Sequence, residues 1–273
     1  MNAKTKPTID DILASIQKGE RLGIEEALIF LASTKKAIDR SGMERFFDAA
    51  RAEARKRPAW RRLDVETIDL SKTPVEALEE RLQASDAERA FLRFPASFSA
   101  EEIFDAIERV AKHLPVGAFS PKEILDRSAK FKMKVAEFCR TLALAGLSFA
   151  SGRFDAKGDD LATIDETFSA LTQLAKAKIK TSACLPISFS EEEQAAHLAK
   201  LREFHDRTQA IDFVLLYLDG KFSDRGLLRS IALMRLMLDN LDAISLSDYD
   251  LSQEKKIDAE LFRQCVELGL NQS

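Results

Sequence analysis

The sequence has little of what metal or redox chemistry needs. It holds three cysteines and three histidines in 273 residues. No two cysteines stand in a C-x-x-C spacing and no two histidines in an H-x-x-x-H spacing, so zinc signatures are missing. Cys139, Cys184 and Cys265 are far apart. Such an odd, isolated set reads as buried free thiols and not as a disulfide framework. His197 and His205 lie eight residues apart on one predicted helix, too far to share an ion. They read as surface or helix–sheet packing residues. No window of about twenty apolar residues exists, which excludes a transmembrane helix. MNAKTKPTIDD lacks the apolar core of a signal peptide, so a cytoplasmic chain without a membrane partner is expected.

What is present is ordinary for a globular protein. Hydrophobic residues make up 45% and charged residues 32%, which argues against disorder. A net charge of -4 gives no general pull toward nucleic acid. The basic run Arg51 to Arg62 is a local exception and reads as the solvated end of a helix.

The chain opens with helices. Thr8 can cap one through Ser15, Ile24 to Ser33 has a helical apolar period, and Ser41 caps a third that Pro58 ends. A helix–strand alternation follows. Strands are predicted over 63–70, 89–95, 115–120, 147–152, 179–185, 210–218 and 242–248. In the first, LDVETIDL, Leu63 and Val65 are expected inward, with Ile68 a further candidate. Thr73 and Pro74 are expected to cap and open the next helix, and Ser99 and Ser190 to cap later ones. PKEI after Ser120 reads as one more turn. Gly146 closes a helix, and a last one runs from Asp258 to Leu268.

Helices between strands at this spacing demand parallel strands with right-handed crossovers. The fold class is α/β: a (β/α) barrel of the triosephosphate isomerase type, complete or one strand short at about seven strands. Residues 1–60 form an N-terminal helical extension and 61–273 the barrel, as a single domain. GLNQS at the end is too short and polar for a convincing eighth strand. A doubly wound sheet would want a glycine-rich first turn, and Ser71-Lys72-Thr73-Pro74 is not one.

Barrel enzymes place their chemistry at the C-terminal ends of the strands. There the sequence offers Ser120, Arg153, Cys184, Tyr217, Asp219, Asp248 and Tyr249 as ligand-pocket candidates. Loop residues at polar strand ends would look the same. A reactive Cys184 needs a base or positive charge beside it; a small buried thiol is the plainer reading. Glu191 to Glu193 follow Ser190 and are explained by capping and the helix dipole.

Several phrases together resemble a family. They are GERLGIEEALIFL from Gly19, AFSPKEI from Ala118, HLAKLRE from His197 and RLMLDN from Arg235. Over Gly19 to about Ile244, with gaps, the chain is similar to the radical S-adenosylmethionine enzymes of the futalosine route to menaquinone. These are chiefly cyclic dehypoxanthinyl futalosine synthase and aminofutalosine synthase. The resemblance implies a barrel and, in the family, a four-iron cluster on a C-x-x-x-C-x-x-C loop after the first strand. Here that place reads IDLSKTPVEALEERL, without cysteine. The family's GGGAE falls on Ser151 to Asp155, and its GHxET on Pro186 to Ser190. Cluster loop, glycine loop and acidic contact are all missing, so neither cluster nor S-adenosylmethionine is expected.

The chain then reads as a catalytically degenerate radical-enzyme barrel, a binding or interaction protein. Its partners would be a second copy, a related active barrel or a small molecule. The alternative is an enzyme of different, non-radical chemistry using the strand-end pocket.

Overall fold

The computed structural model describes residues 6–35, 40–58, 64–151, 164–218, 220–246 and 257–271. Three helices come first: α1 (Ile9–Gln17), α2 (Ile24–Lys35) and α3 (Arg40–Ala54). Seven strands follow: β1 (Val65–Asp69), β2 (Arg89–Arg93), β3 (Val116–Ala118), β4 (Leu147–Ala150), β5 (Lys180–Pro186), β6 (Ile211–Tyr217) and β7 (Ala243–Leu246). Between them lie α4 (Leu78–Gln83), α5 (Ala100–Ala111), α6 (Pro121–Lys130), α7 (Val135–Leu144), α8 (Ile164–Lys176), α9 (Glu191–Thr208) and α10 (Asp224–Met237). Then α11 (Ala259–Glu267) follows β7.

The strands form one sheet in the sequential order β1 to β7. The registers described are all parallel. This is the order of a (βα) barrel whose first and last strands are not joined, an incomplete barrel preceded by helices.

The chain divides into two compact units. One comprises Arg62–Ala183 and Ala210–Asp212; the other comprises Met1–Arg61, Cys184–Gln209 and Phe213–Ser273. In the first, α5 buries Ile103, Ala106, Ile107 and Val110, the stripe its period predicts. A capping box fixes its start: the Ser99 hydroxyl accepts from the Glu102 N–H while the Glu102 carboxylate accepts from the Ser99 N–H. Gly146 ends α7 at φ 103°, where a Cβ would stand 2.5 Å from that of Ala111, so only glycine fits.

In the second unit α10 is buried on nearly every side, from Leu227 to Met237. It packs on α3, α9 and α11, and α2 packs on α9. Phe30 of α2 and Phe46 of α3 meet at 4.4 Å between ring centroids, and both are fully buried. The N-terminal helices therefore lie on outer helices of the barrel, α2 on α9 and α3 on α10. Arg235, 1% exposed, reaches from α10 to the carbonyls of Leu241, Asp242 and Gly269 at 3.1, 3.2 and 2.6 Å.

Several local expectations are corrected. Ser41 lies inside the first turn of α3 rather than capping it. Thr73 caps nothing. A short 3-10 turn, Val75–Ala77, precedes α4, and the Thr73 hydroxyl accepts from Arg81 instead. PKEI opens a full ten-residue helix, because Ser120 and Glu123 make a capping box. Val65 is 43% exposed while Ile68 is fully buried. Residues three apart on a strand lie on opposite faces, so both could not point inward. Leu63 lies outside the described residues.

Of GLNQS, residues 269–271 are described and form no strand, yet Asn271 brackets the edge of β7. Its N–H donates to the Ile244 carbonyl at 2.7 Å, and its side-chain Oδ1 accepts from the Ile244 N–H at 2.6 Å. The amide oxygen stands in for a neighbouring strand's carbonyl.

Candidate functional site

The C-terminal strand ends are the place to look in a barrel. In the first unit, the loop after β1 is a self-contained turn. The Asp69 carbonyl accepts from the N–H groups of Lys72 and Thr73, both at 3.0 Å. Its carboxylate accepts from the Ser71 N–H at 2.9 Å and hydroxyl at 2.6 Å. These bonds, led by the hydroxyl, hold the Asp69 carboxyl below the usual range. This is an Asx turn, in which the Asp69 side chain bonds the backbone two residues on.

Beside it, Arg127 on α6 is 7% exposed and donates to the carbonyls of Phe94 and Pro95 at 3.0 and 2.8 Å. Desolvation lowers the pKa of this guanidinium. Phe119, just past β3, adopts the left-handed conformation at φ 62° and stacks on Phe94 at 5.1 Å. A bulky side chain there carries strain of order 1–3 kcal/mol, which the aromatic packing offsets. Ser120, one of the predicted candidates, is 4% exposed and spends its hydroxyl on the Glu123 N–H and carboxylate.

In the second unit, Cys184 is 2% exposed. Its carbonyl accepts from His197 Nε2 at 2.9 Å. That bond puts the proton of the neutral ring on Nε2. Burial, set against the Cys184 carbonyl, depresses the His197 pKa to about 4. Phe189 packs edge-on to the ring at 5.8 Å. His197 thus ties α9 to the end of β5. Ser190, after β5, closes another capping box with Glu193. Tyr217 is 7% exposed, and its carbonyl accepts from the Ile187 N–H at 2.7 Å. Cys184 and Tyr217 therefore belong to one unit and Ser120 to the other. Arg153, Asp219, Asp248 and Tyr249 lie outside the described residues.

The residues present do not fit a four-iron cluster. Three thiolates are needed, and the loop after β1 supplies none. Cys139, Cys184 and Cys265 sit on α7, β5 and α11, and all are buried thiols outside any disulfide. Burial pushes the thiols of Cys139 and Cys265 up to about 12, the wrong direction for metal ligands. Among the described residues no group of three or more His, Cys, Asp or Glu side chains could hold a metal ion. Nor, among them, is any helix long and apolar enough to cross a membrane.

One feature escaped the sequence reading, which took Arg89 to Phe94 only as a strand. Glu66 of β1 is bound to Arg81 of α4 at 2.6 Å, so the face of Glu66 and Ile68 lies under that helix. Register places Val65 beside Arg89, Thr67 beside Phe91 and Asp69 beside Arg93 on the opposite face. There Val65, Thr67 and Arg93 are exposed, and Arg89 and Phe91 half-buried, whereas Ile68, Ala90 and Leu92 are buried on the helix side. The row continues to Gly117 and Phe149. A Cβ on Gly117 would stand 2.9 Å from the Phe91 ring and 3.2 Å from the Phe149 ring, so glycine lets the rings close over the strand. The Arg89 guanidinium lies over Phe149, 4.9 Å from its centroid. The signal was present in the sequence as Arg-x-Phe-x-Arg, three positions a two-residue period puts on one face.

With this geometry in hand, comparison with known proteins places the fold. The cyclic dehypoxanthine futalosine synthase of Halalkalibacterium halodurans (strain ATCC BAA-125 / DSM 18197 / FERM 7344 / JCM 9153 / C-125) is 26% identical over 161 residues. That alignment covers 50% of this chain and 44% of the relative, so the chain spans less than half of that protein's length. No family model matches. Among solved structures HydG, a maturase of the FeFe-hydrogenase, superposes with a TM-score of 0.67 at 12% identity, covering 97% of this chain and 68% of HydG. The fold is thus a (β/α) barrel shared with HydG, and among the described residues no group of side chains could hold a metal cluster.

Proposed function

We propose that the protein is a catalytically degenerate relative of the radical enzymes of the futalosine route to menaquinone, acting by binding rather than by radical chemistry. The observation that carries this is the loop after β1. Where the resembled family anchors its cluster, this chain has an Asx turn without cysteine, in which Asp69 accepts from Ser71, Lys72 and Thr73. The partial identity to a futalosine synthase supports the pathway, and the capping boxes at Ser120 and Ser190 support the loss of ligand-facing polar groups. Its partners are proposed to be a small molecule, a second copy or a related active barrel.

Anaerobic reconstitution with iron and sulfide tests this. We expect no stoichiometric cluster absorption, no paramagnetic signal on reduction, and no reductive cleavage of S-adenosylmethionine. A stoichiometric cluster with its signal overturns the proposal.

A further inference from the structure

The two end strands of the sheet are treated differently. On β7 the outward backbone groups of Ile244 are taken by Asn271. On β1 the outer edge is bare among the described residues. The Arg89 N–H donates to the Asp64 carbonyl at 3.1 Å, and the Leu70 N–H donates to the Arg93 carbonyl at 3.0 Å. Alternation along the strand then turns the backbone of Asp64, Glu66, Ile68 and Leu70 toward β2 and that of Val65, Thr67 and Asp69 away from it. The Asp69 carbonyl is taken by Lys72 and Thr73. The N–H and carbonyl of Val65 and Thr67, and the N–H of Asp69, have no partner among the described residues. Natural edges are blunted by lysine, proline or a bulge. Here the register with β2 is unbroken, and the exposed side chains are Val65 and Thr67, both β-branched strand formers.

We infer that this edge pairs with the same edge of a second copy, antiparallel about a two-fold axis at Thr67. The strand is self-complementary in that register. Thr67 meets its own copy, Val65 meets Asp69, and Glu66 meets Ile68. The Thr67 N–H groups then find each other's carbonyls, and the Asp69 N–H finds the Val65 carbonyl. No like charges stand opposite each other, and Glu66 is already paired with Arg81 of its own chain. Other registers serve less well. An axis at Glu66 or at Asp69 sets two carboxylates against each other, and one at Ile68 leaves Val65 unpaired. Nor is β7 open to a second copy's β1, because Asn271 holds the Ile244 groups such a strand would need. The contact is therefore isologous and closes as a dimer instead of growing head to tail. Two edges of five residues bury well under the roughly 800 Å² per partner of a standard interface, so a dissociation constant of the order of 10–100 µM is expected. This inference rests on the association with a second copy proposed above and names the contact it uses.

The test is sedimentation of the full chain over a range of concentrations, without iron or sulfide, so that a failure here is distinct from a failure of the cluster test. We expect a reversible monomer–dimer equilibrium and no larger species. Thr67→Lys and Thr67→Asp each place like charges on the two-fold axis and should weaken the dimer about five-fold or more. An equimolar mixture of the two variants should recover it, because opposite charges then face each other. Thr67 is exposed, so both variants should keep the wild-type urea midpoint. In the wild type, hydrogen exchange at the amides of Val65, Thr67 and Asp69 should slow as concentration rises, while exchange at Ile68, which faces β2, should not change. A chain that stays monomeric to about 500 µM overturns the inference. So does a dimer indifferent to both variants, a mixture no tighter than either variant alone, or growth beyond the dimer. Exchange at the three outward amides that ignores concentration overturns it as well.

Discussion

Two buried side chains show how much one residue carries. His197 is held neutral, with a pKa near 4 against 6.5 when unperturbed. The unfolded chain therefore binds a proton between those values that the folded chain refuses, so stability is full above pH 6.5 and falls as pH drops toward 4. The shift is worth at most roughly 3 kcal/mol. Urea unfolding of wild type and His197→Gln checks this. The advantage of the wild type should shrink as pH falls from 7 to 4.5, and a constant gap would contradict the assignment. Arg235 is the larger dependence. Arg235→Ala leaves three carbonyls without their donor and should cost about 3–5 kcal/mol. Hydrogen exchange at Leu270 should rise with it; a loss under about 1 kcal/mol would show the contacts to be idle. The sequence marked the histidines as packing residues because a helix spacing of eight rules out a shared ion. It gave no sign of how deeply Arg235 is buried, since that depends on the distant Gly269.

At the scale of elements, the resembling phrases meet. Arg21 of GERL donates to Asp206 at 2.5 Å and Asp239 at 2.8 Å. Arg202 of HLAKLRE donates to the carbonyls of Leu22 and Met237. Asn240, which ends RLMLDN, donates to the Arg202 carbonyl and to Asp206. One network thus joins the α1–α2 connection to the last turn of α9 and the segment before β7, all within one unit. These segments precede β6 and β7 and so lie at the N-terminal ends of the strands, where a barrel keeps its stability and not its chemistry. The phrases were visible in the sequence; their convergence was not, because it joins residues more than two hundred positions apart. Arg21 is about half exposed, so Arg21→Ala should cost only about 0.5–1 kcal/mol, and less at high salt. A double-mutant cycle with Asp239→Ala measures the coupling. The caps are separate from this network, and Ser99→Ala should cost about 1 kcal/mol without salt dependence.

At the scale of the molecule, strand number and order were legible because seven apolar runs alternate with seven helical periods or more. The local period fixes element type, and short connections fix parallel neighbours. What was not legible was how the sheet's end strands are treated. β7 is bracketed by Asn271, a residue whose side chain imitates backbone, and no periodicity announces that. Removing residues 269–273 takes away both this bracket and the Gly269 carbonyl that holds Arg235. The shortened chain should unfold at lower urea and, with the β7 edge bare, show more self-association in light scattering than the full chain. Equal scattering from the two would show that the edge is protected in another way.

The division into units has a consequence for the order of events on the ribosome. One unit is nearly continuous, from Arg62 to Ala183, and its partners emerge close together in time. The other is assembled from both ends of the chain. Helices α1 to α3 are translated before α9 and α10, with which the surfaces that bury Phe30 and Phe46 belong and which appear some 150 residues later. At roughly 5–20 residues per second these helices wait about ten to thirty seconds with their apolar faces unmatched. During that interval the nascent chain carries a feature the finished protein lacks: a sticky segment made well before its cover, which makes it a natural client for a chaperone.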